Sequence, residues 1–585
     1  MSIVAAAVAA SAISLSLAAE PAAAKRDATS FAQLLPVDTV AYLHLPQALE
    51  LREKWWQTSL GRMLEDPQLK PLLDQSWGAV ERSFEPIRER FGLSLTEWLQ
   101  LPNSEFGFAV VPIDGAEPAA MLMLAAGAED RAIELLLERG REAAQKAGMI
   151  EEHETIGDVR LTIWRTGAGR SRQVVYLRRA GRLVVTTHRD AAKRALELWT
   201  AGGESLADQA SFTTLERLVG RAEGEAAQAF WFVDPINLIR QSMQGNRAAQ
   251  IGIAILPALG LDGLSALGGS VAFQRGPFET ISQAYLLLDT PRTGALELLA
   301  LRPTPTEPEP WVFDDLTSYG TFSWDVERTY HELRKLVDSF QGDGAFRRAV
   351  GFERVQQQGL DLEKDVIAKL TGRVSIVTAL EQPLTPESRG HLLGFQVKDA
   401  ATAERIAKLL VDLGEREATP RSFAGRKYFE IAPRNNPFDE RPRSAIGSVN
   451  DCVLVSNHSA FVQRAYGAAD DESKRLAGAL DYKLIAAKAK RYAGDDGPGY
   501  LSFTRPDEEL RFVHALVQHQ QVREQINRRG ERTPLFHDLD QALTDRPPPP
   551  FEVLQRYFAP GGAVIVDEPT GIRYFSFVLK RAEAR

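Results

Sequence analysis

Two distant stretches of this chain resemble one another, and the distance between them limits what the chain can fold into. The segments LVVTTHRDAAKRA and VLVSNHSAFVQRA align His188 with His458 and Arg194 with Arg464. Both pairs are 270 residues apart (458 − 188 and 464 − 194). A repeat of this length is typical of a chain that contains two copies of one structural unit.

The same distance recurs further along the chain. Phe212 aligns with Tyr482 and Phe230 with Tyr500, again 270 residues apart (482 − 212 and 500 − 230). A chain of 585 residues could hold several small domains. The persistent register instead predicts a tandem duplication of one large unit.

The second copy contains an insert. The glycine pair at 268–269 matches the pair at 561–562, at a distance of 293 residues (561 − 268). The second copy is therefore about 23 residues longer (293 − 270). The insert falls at about 507–550, is polar and rich in arginine, and ends in four consecutive prolines. Because proline cannot continue a helix, we predict a helix followed by an exposed loop.

A proline-rich segment separates the two copies. Residues 302–310 read RPTPTEPEP, with four prolines in nine positions, a composition typical of a semi-rigid extended linker. We therefore expect the first repeat to span 30–301 and the second to span 311–585. Each repeat is long enough to bury a core of its own.

The N-terminus has the pattern of an export signal. An uncharged apolar run occupies residues 3–19, and alanines at 22 and 24 precede Lys25, as at a signal-peptide cleavage site. We expect residues 1–24 to be removed, leaving a periplasmic or extracellular protein with no stable membrane span. The alternative is an uncleaved N-terminal membrane anchor, although the run is short for a bilayer that needs about 20 apolar residues.

Within the first copy, segments of alternating apolar residues predict strands at 40–45, 106–112, 120–126, 159–164, 173–179, 182–188, 228–234, 268–274 and 280–289. Helical spacing predicts helices over much of 48–91, 128–147, 190–198, 211–221 and 235–256. Short strands with tight turns favour antiparallel pairing. The expected fold class is α+β, a tandem duplication of a unit with a curved, mainly antiparallel sheet packed on helices.

Composition excludes several classes of protein. The chain is 44% hydrophobic and 25% charged, as globular proteins are. A net charge of −9 without a long basic run argues against a nucleic-acid-binding protein. The single cysteine, Cys452, excludes an intramolecular disulfide and a cysteine-rich zinc site. Its apolar neighbours favour a buried core residue over a reactive thiol.

The sequence offers few candidates for chemistry. His331-Glu332 lacks the second histidine of a zinc-protease motif, because Lys335 stands in its place. His188 and His458 are the strongest candidates, as a ligand or a base, because both copies keep them. Since no carboxylate or cysteine recurs beside both, we favour a role in capping the next helix or filling a boundary position. We assign no catalytic, cofactor-binding or metal-binding residue.

Several segments resemble a known family. LLPVDTVAYLHLP, ELREKWWQTSLGRMLEDPQLKPLL, FGLSLTEWLQLP and LGLDGLSALGG are similar to exported proteins of planctomycete-type bacteria, grouped as domain of unknown function 3352. The resemblance covers most of the first copy and, more loosely, the second. It implies an exported protein, and the family has no established catalytic residues to carry over.

These observations favour an exported, non-catalytic protein that binds or scaffolds an envelope protein, a polymer or an apolar ligand. One alternative is a periplasmic carrier of an apolar ligand or lipid, which predicts a large apolar cavity in each copy. Another is a hydrolase with a site between the repeats, marked by converging titratable groups with shifted pKa values. Polar residues buried in only one copy would be the best functional candidates, whereas symmetric ones would serve the fold.

Overall fold

The computed structural model describes most of the chain. The described residues are 30–70, 104–125, 131–167, 173–243, 253, 255–414, 417–432, 442–495, 497–530, 537, 540, 541, 543, 544 and 548–581. The predicted signal peptide and parts of the predicted helices at 48–91 and 235–256 lie outside these residues, as does part of the predicted insert.

The chain folds into two compact units. The first unit comprises Met1–Ala254, Leu264–Leu287 and Ile526–Pro547. The second comprises Ile255–Gly263, Leu288–Gln525 and Pro548–Arg585. The main change from one unit to the other therefore falls near residue 288, ahead of the segment at 302–310 that was expected to separate the repeats.

The first unit is built on an antiparallel sheet. Its strands are β1 (Ala41–Leu45), β2 (Phe106–Val111), β3 (Ala119–Ala125), β4 (Ile150–Ile156), β5 (Val159–Arg165), β6 (Gln173–Arg179), β7 (Arg182–Thr186), the short pair β8 (Arg221–Ala222) and β9 (Glu225–Ala226), β10 (Ala229–Val233), β11 (Leu264–Arg275) and β12 (Phe278–Leu288). The main strands lie in the order β4-β5-β6-β7-β3-β2-β1-β10-β11-β12.

Helices cover both faces of this sheet. They are α1 (Ala48–Trp56), α2 (Ser59–Glu65), α3 (Arg131–Lys146), α4 (Arg189–Ala201), α5 (Ala210–Val219) and α6 (Pro235–Ser242). The face that we call the inner face packs against α4 and α5 and carries the larger core. On the other face, Ile133 and Leu136 of α3 pack against Leu124 and Leu183, because residues three apart share one side of a helix.

The second unit is also built on an antiparallel sheet. Its strands are β13 (Leu301–Arg302), β14 (Ser318–Trp324), β15 (Leu370–Leu380), β16 (Arg389–Val397), β17 (Ala418–Phe423), β18 (Arg426–Ile431), β19 (Ser444–Val449), β20 (Cys452–Ser456), β21 (Tyr500–Thr504), β22 (Gly561–Glu568) and β23 (Gly571–Leu579). The main strands lie in the order β17-β18-β19-β20-β16-β15-β14-β21-β22-β23. The short β13 pairs with the end of β14.

The helices of the second half of the chain are α7 (Val326–Gln341), α8 (Ala345–Ala349), α9 (Phe352–Gln357), α10 (Ala400–Asp412), α11 (Ser459–Asp470), α12 (Leu480–Ala493), α13 (Pro506–Gln518), α14 (Gln520–Gly530) and α15 (Phe551–Gln555). Here α11 and α12 take the places of α4 and α5, and α10 takes the place of α3. The predicted α+β class, a mainly antiparallel sheet packed on helices, is confirmed.

Strand for strand, the two units have the same order. Tyr42 of β1 pairs with Ala109 and Phe232, and the equivalent Tyr319 of β14 pairs with Val377 and Phe503. A shared order with a shared register is what a duplication would leave behind. That the units arose by duplication stays a prediction.

The register moves one of the aligned pairs by one residue. Because Phe232 and Phe503 pair with equivalent tyrosines, the equivalent of Phe230 is Leu501, and not Tyr500. Successive residues of a strand point to opposite faces, so the correction brings together two buried side chains.

The glycine pairs shift in the same way, and the structure shows why the glycine is kept. Gly268 pairs with Phe232 and Gly562 pairs with Phe503, so these two glycines are equivalent. A Cβ atom at Gly268 would come against Leu215 of α5, and one at Gly562 would come against Ile485 of α12. In both units the missing side chain lets a helix approach the sheet closely.

The proline-rich segment expected to be a linker is packed into the second unit. Thr304 and Glu309 are buried, and the backbone N–H of Thr304 donates to the Pro498 carbonyl oxygen at 2.7 Å. Arg373 Nη2 donates to the Glu307 carbonyl oxygen at 2.6 Å. Composition alone does not tell a free linker from a packed segment, because long-range contacts decide between them.

Candidate functional site

The two aligned histidines lie at the starts of equivalent helices. His188 precedes α4, and its Nδ1 accepts a hydrogen bond from the backbone N–H of Asp190 at 3.2 Å, as predicted for a cap. His458 precedes α11 and is buried, with its ring stacked on Phe461 at 4.8 Å between centroids. Burial lowers the pKa of His458, which keeps the ring neutral. Both histidines serve the strand-to-helix junction.

The aligned arginines, Arg194 on α4 and Arg464 on α11, also make equivalent contacts. Arg194 contacts the Asp38 carboxylate and donates to the Pro112 carbonyl oxygen at 3.0 Å. Arg464 contacts the Asp315 carboxylate at 2.8 Å and donates to the Leu380 carbonyl oxygen at 3.3 Å. Each arginine ties a helix to the end of β2 or β15 and to the segment before β1 or β14. The symmetric polar residues therefore hold the fold together.

Polar side chains that the units do not share lie on the inner face. In the first unit, Glu105 accepts a hydrogen bond from Arg182 Nη2 at 3.4 Å and lies 3.0 Å from His44 Nε2. The ring of His44 stacks on Tyr42 at 5.7 Å between centroids. The side chains of Arg182, Glu105 and His44 are 10%, 19% and 20% exposed, so water reaches this group, which we call the His44 cluster.

The second unit holds a buried ion pair at the same place. Arg373 Nε lies 3.2 Å from Glu309, whose carboxylate accepts hydrogen bonds from Ser375 Oγ at 2.7 and 2.9 Å and from the Tyr319 hydroxyl at 3.2 Å. Thr321 Oγ1 accepts a hydrogen bond from Arg373 Nε at 3.3 Å. These five residues, the Glu309 cluster, are all buried. Several hydrogen bonds offset the cost of removing both charges from water.

The two clusters exchange acid for base. His44 and Thr321 are equivalent, and they pair with Gly107 and Ser375. Glu105 and Arg373 each lie two residues before these partners, so Arg373 occupies the place of Glu105. Arg182 and Cys452 begin the equivalent strands β7 and β20. The second unit thus has a base where the first has an acid, and a thiol where the first has a guanidinium.

The acid of the second unit comes from the packed segment before β14. The backbone N–H of Leu206 donates to the Leu35 carbonyl oxygen, and that of Leu476 donates to the Val312 carbonyl oxygen. Ala32 and Glu309 each lie three residues before the acceptor, so these two positions are equivalent. The first unit therefore has no carboxylate at this position.

The tyrosines that the units share differ in the partner of the hydroxyl. Tyr319 donates to Glu309. The Tyr42 hydroxyl is buried and has no hydrogen-bond partner in the described part of the chain. Burial raises the pKa of both tyrosines. The nearby carboxylate adds to the effect, Glu309 for Tyr319 and Glu105 for Tyr42. Both side chains stay neutral, and within the described ranges only the Tyr42 hydroxyl lacks a hydrogen-bond partner.

Cys452 is a core residue, as the sequence predicted. It is 1% exposed, and burial, followed by the charge of Glu309, raises its pKa to about 12. A thiol that stays protonated is a poor nucleophile and a poor metal ligand.

A cavity of about 550 Å³ opens in the second unit. It lies among the segment before β14, the starts of α12 and α13, the segment before β22 and the end of β23. Both signs of charge line it, in the acids Asp315, Asp481, Asp507 and Glu508 and the bases Arg505, Lys580 and Arg581. Leu316, Leu484 and Phe558 form an apolar part of the wall.

One ion pair organises this wall. Arg505 donates to both carboxylate oxygens of Asp481, at 2.7 and 3.1 Å, and also to the carbonyl oxygens of Asp314 and Leu316. Although burial raises it, the hydrogen bonds and charge of Arg505 hold the pKa of Asp481 below its ordinary value. The start of α12, the start of α13 and the segment before β14 are therefore held together without a ligand.

The first unit lacks these charges. Tyr482 and Phe212 are equivalent, so Asp481 corresponds to Ser211. Pro506 and Pro235 begin the equivalent helices α13 and α6. Arg505 and Asp507 therefore correspond to Asp234 and Ile236, and the charged cavity is a property of the second unit.

Sequence reasoning missed this site. Its residues come from five segments between Asp315 and Arg581, and none forms a motif. The sequence signal that could have found it is the difference between the copies just after Pro235 and Pro506, where the buried Ile236 aligns with Asp507.

A second groove, of about 810 Å³, runs along α7 and includes His331. Its bases are neutralised within the unit by the ion pairs Arg328–Glu297, Arg334–Glu363 and Lys335–Glu332. In the described residues, no group of three or more His, Cys, Asp or Glu side chains could hold a metal ion.

The chain matches no protein-family model, no curated protein and no solved structure. The resemblance to domain of unknown function 3352 therefore stays a prediction. No helix within the described ranges is both long enough and apolar enough to cross a membrane.

Proposed function

We propose that this protein is an exported, non-catalytic binding protein of the cell envelope, and that its second unit binds a small charged ligand. The observation that carries the proposal is the cavity of about 550 Å³ in that unit. Its volume lies in the range of small-molecule sites, and such sites combine an apolar wall with a few placed polar groups. The first unit repeats the scaffold without the charges.

The proposed location rests on the N-terminal pattern and on the family resemblance. Cell fractionation of the expressed full chain, with mass spectrometry of its N-terminus, tests both. We expect a mature chain that begins at Lys25 in the periplasmic or secreted fraction. A chain that keeps residues 1–24 and sediments with membranes would support the anchor instead.

The charged lining disfavours the alternative that the protein carries apolar ligands. Seven charged side chains around one cavity would lose hydration against a lipid chain without gaining partners. A ligand with charges of its own would replace the lost water contacts. The cavity therefore favours a charged or amphipathic ligand.

Calorimetry on the mature protein tests the binding proposal. The probes are five classes of compound, namely free amino acids, short peptides, diamines, dicarboxylates and fatty acids. We expect binding of at least one charged class, and loss of that binding in Leu484→Trp, which fills the cavity from the half-exposed face of α12. Thr214→Trp, at the equivalent position of α5, is the matched control and should bind as the wild type does.

Two results would overturn the proposal. One is that none of the five classes binds. The other is that Leu484→Trp and Thr214→Trp behave alike, which would place the site outside the cavity.

A further inference from the structure

The cavity of the second unit contains charges that the protein does not neutralise. Asp481 is paired with Arg505, and Glu508 is paired with Arg511 at 3.1 Å. Among the described residues, Asp507, Lys580 and Arg581 have no ion-pair partner, although all three line the same cavity. A negative and a positive pole therefore face one space without meeting each other.

One glutamine links the two poles. Gln555 of α15 donates from Nε2 to the Asp507 carboxylate at 3.5 Å, and its carbonyl oxygen accepts a hydrogen bond from Arg581 Nη1. Arg581 also donates to the Phe558 carbonyl oxygen at 3.0 Å. Asp507 and Arg581 are thus separated by about the length of one glutamine residue. A chain of two or three residues covers such a gap, at about 3.5 Å per residue.

Part of the cavity wall is apolar. Leu316, Leu484 and Phe558 belong to it, and Arg505 Nη1 holds Leu316 in place by donating a hydrogen bond to its carbonyl oxygen at 3.2 Å. Apolar side chains of a ligand would be removed from water against these residues. A rigid wall also lowers the ordering cost of binding.

From these observations we infer that the cavity binds a short peptide as a zwitterion, with its terminal ammonium at Asp507, its terminal carboxylate at Lys580 and Arg581, and an apolar side chain against Phe558. The inference rests on the proposed function and names the ligand class of that same cavity. A diamine would leave Lys580 and Arg581 unpaired, and a dicarboxylate would meet Asp507. Only a ligand with both ends satisfies both poles.

Calorimetry with alanyl-phenylalanine as the probe tests the inference on the mature protein. The N-acetyl derivative lacks the ammonium and the C-terminal amide lacks the carboxylate. We expect each derivative to bind about tenfold more weakly, which is the ordinary effect of losing one charge-assisted hydrogen bond. Asp507→Asn should weaken the free peptide about tenfold but leave the N-acetyl derivative unchanged.

Lys580→Gln and Arg581→Gln should show the reverse preference, weakening the free peptide and leaving the C-terminal amide unchanged. Glu509→Gln and Lys483→Gln are matched controls, because these charges lie on α13 and α12 without lining the cavity. Both should bind the peptide as the wild type does. All five positions are at least partly exposed, so the variants should fold.

The outcomes separate this inference from the proposed function. Equal binding of the free, acetylated and amidated peptides would overturn the inference and leave the cavity as a binding site. Binding of a diamine, a dicarboxylate or a fatty acid in place of the peptide would do the same. Failure of every probe would overturn both.

Discussion

The two units carry a tyrosine at the same register position of the sheet, but they surround it differently. In the second unit the Tyr319 hydroxyl donates to Glu309, which is itself paired with Arg373. In the first unit Tyr42 has Ala32 in place of the carboxylate, and its hydroxyl lacks a partner in the described residues. One backbone scaffold therefore accepts two different polar interiors, because strand order and register depend on the apolar pattern.

The largest difference between the units is expected when one charge is removed from the Glu309 cluster. Glu309→Gln leaves the buried Arg373 without a countercharge, and breaking a buried ion pair costs about 3–5 kcal/mol. We expect the second unit alone to lose this stability, measured by hydrogen exchange of its strand peptides in the intact protein. Glu105→Gln, in the more exposed His44 cluster, is the matched control and should cost less. Equal losses of stability would show that the two clusters do not differ in the cost of an unpaired charge.

The tyrosines themselves provide the next test. Tyr319→Phe should destabilise the second unit by about 1–3 kcal/mol, because Glu309 loses a donor while it remains buried. Tyr42→Phe should be neutral or stabilising, because it removes a buried hydroxyl that has no partner in the described part of the chain. Denaturant unfolding, with hydrogen exchange to assign the unit, measures both changes. A destabilising Tyr42→Phe would show that a water satisfies this hydroxyl.

The symmetric arginines should differ only modestly. Arg464→Met should cost about 1–2 kcal/mol and Arg194→Met less than about 1 kcal/mol, because exposed ion pairs contribute little. The excess for Arg464 comes from its guanidinium, which lies 4.1 Å from the ring centre of Phe313 and 5.3 Å from that of Phe461. Thermal unfolding of the two variants measures the difference, and a larger effect for Arg194→Met would reverse the assignment.

The smallest expected effect is the pH dependence that Glu154 gives to the first unit. Hydrogen bonds from Arg189, then from Lys193, lower the pKa of Glu154 to about 2. The ordinary value is 4.5, so the stabilisation is fully present above that pH and is lost as the pH falls towards 2. Solvent reaches the pair, so we expect less than about 1 kcal/mol.

The second unit has Arg421 and Ser459 at the positions of Glu154 and Arg189 and cannot show this dependence. Unfolding of Glu154→Gln and of the wild type should therefore differ at pH 7 and converge near pH 2. A difference that persists at pH 2 would rule out Glu154 as the titrating group.

Much of the fold could be predicted because it depends on local patterns. The strands at 173–179 and 159–165 follow from alternating apolar residues, and α3 follows from helical spacing. The edge strand β4, IEEHETI, could not be predicted in this way, because most of its residues are exposed and it lacks an apolar face. The aligned pairs near β10 and β11 slipped by one residue because similarity of type does not reveal which face a side chain takes.

From the sequence alone come the α+β class, the capping role of His188 and the repeat that predicts a duplication, since these depend on apolar periodicity and on local contacts. Only the tertiary structure decided that residues 302–310 are packed, that Glu309 meets Arg373, and that Asp507 and Lys580 face one cavity. The physical reason is distance along the chain. Packing brings these charges together from segments far apart in sequence, and no local pattern records which distant side chains will meet.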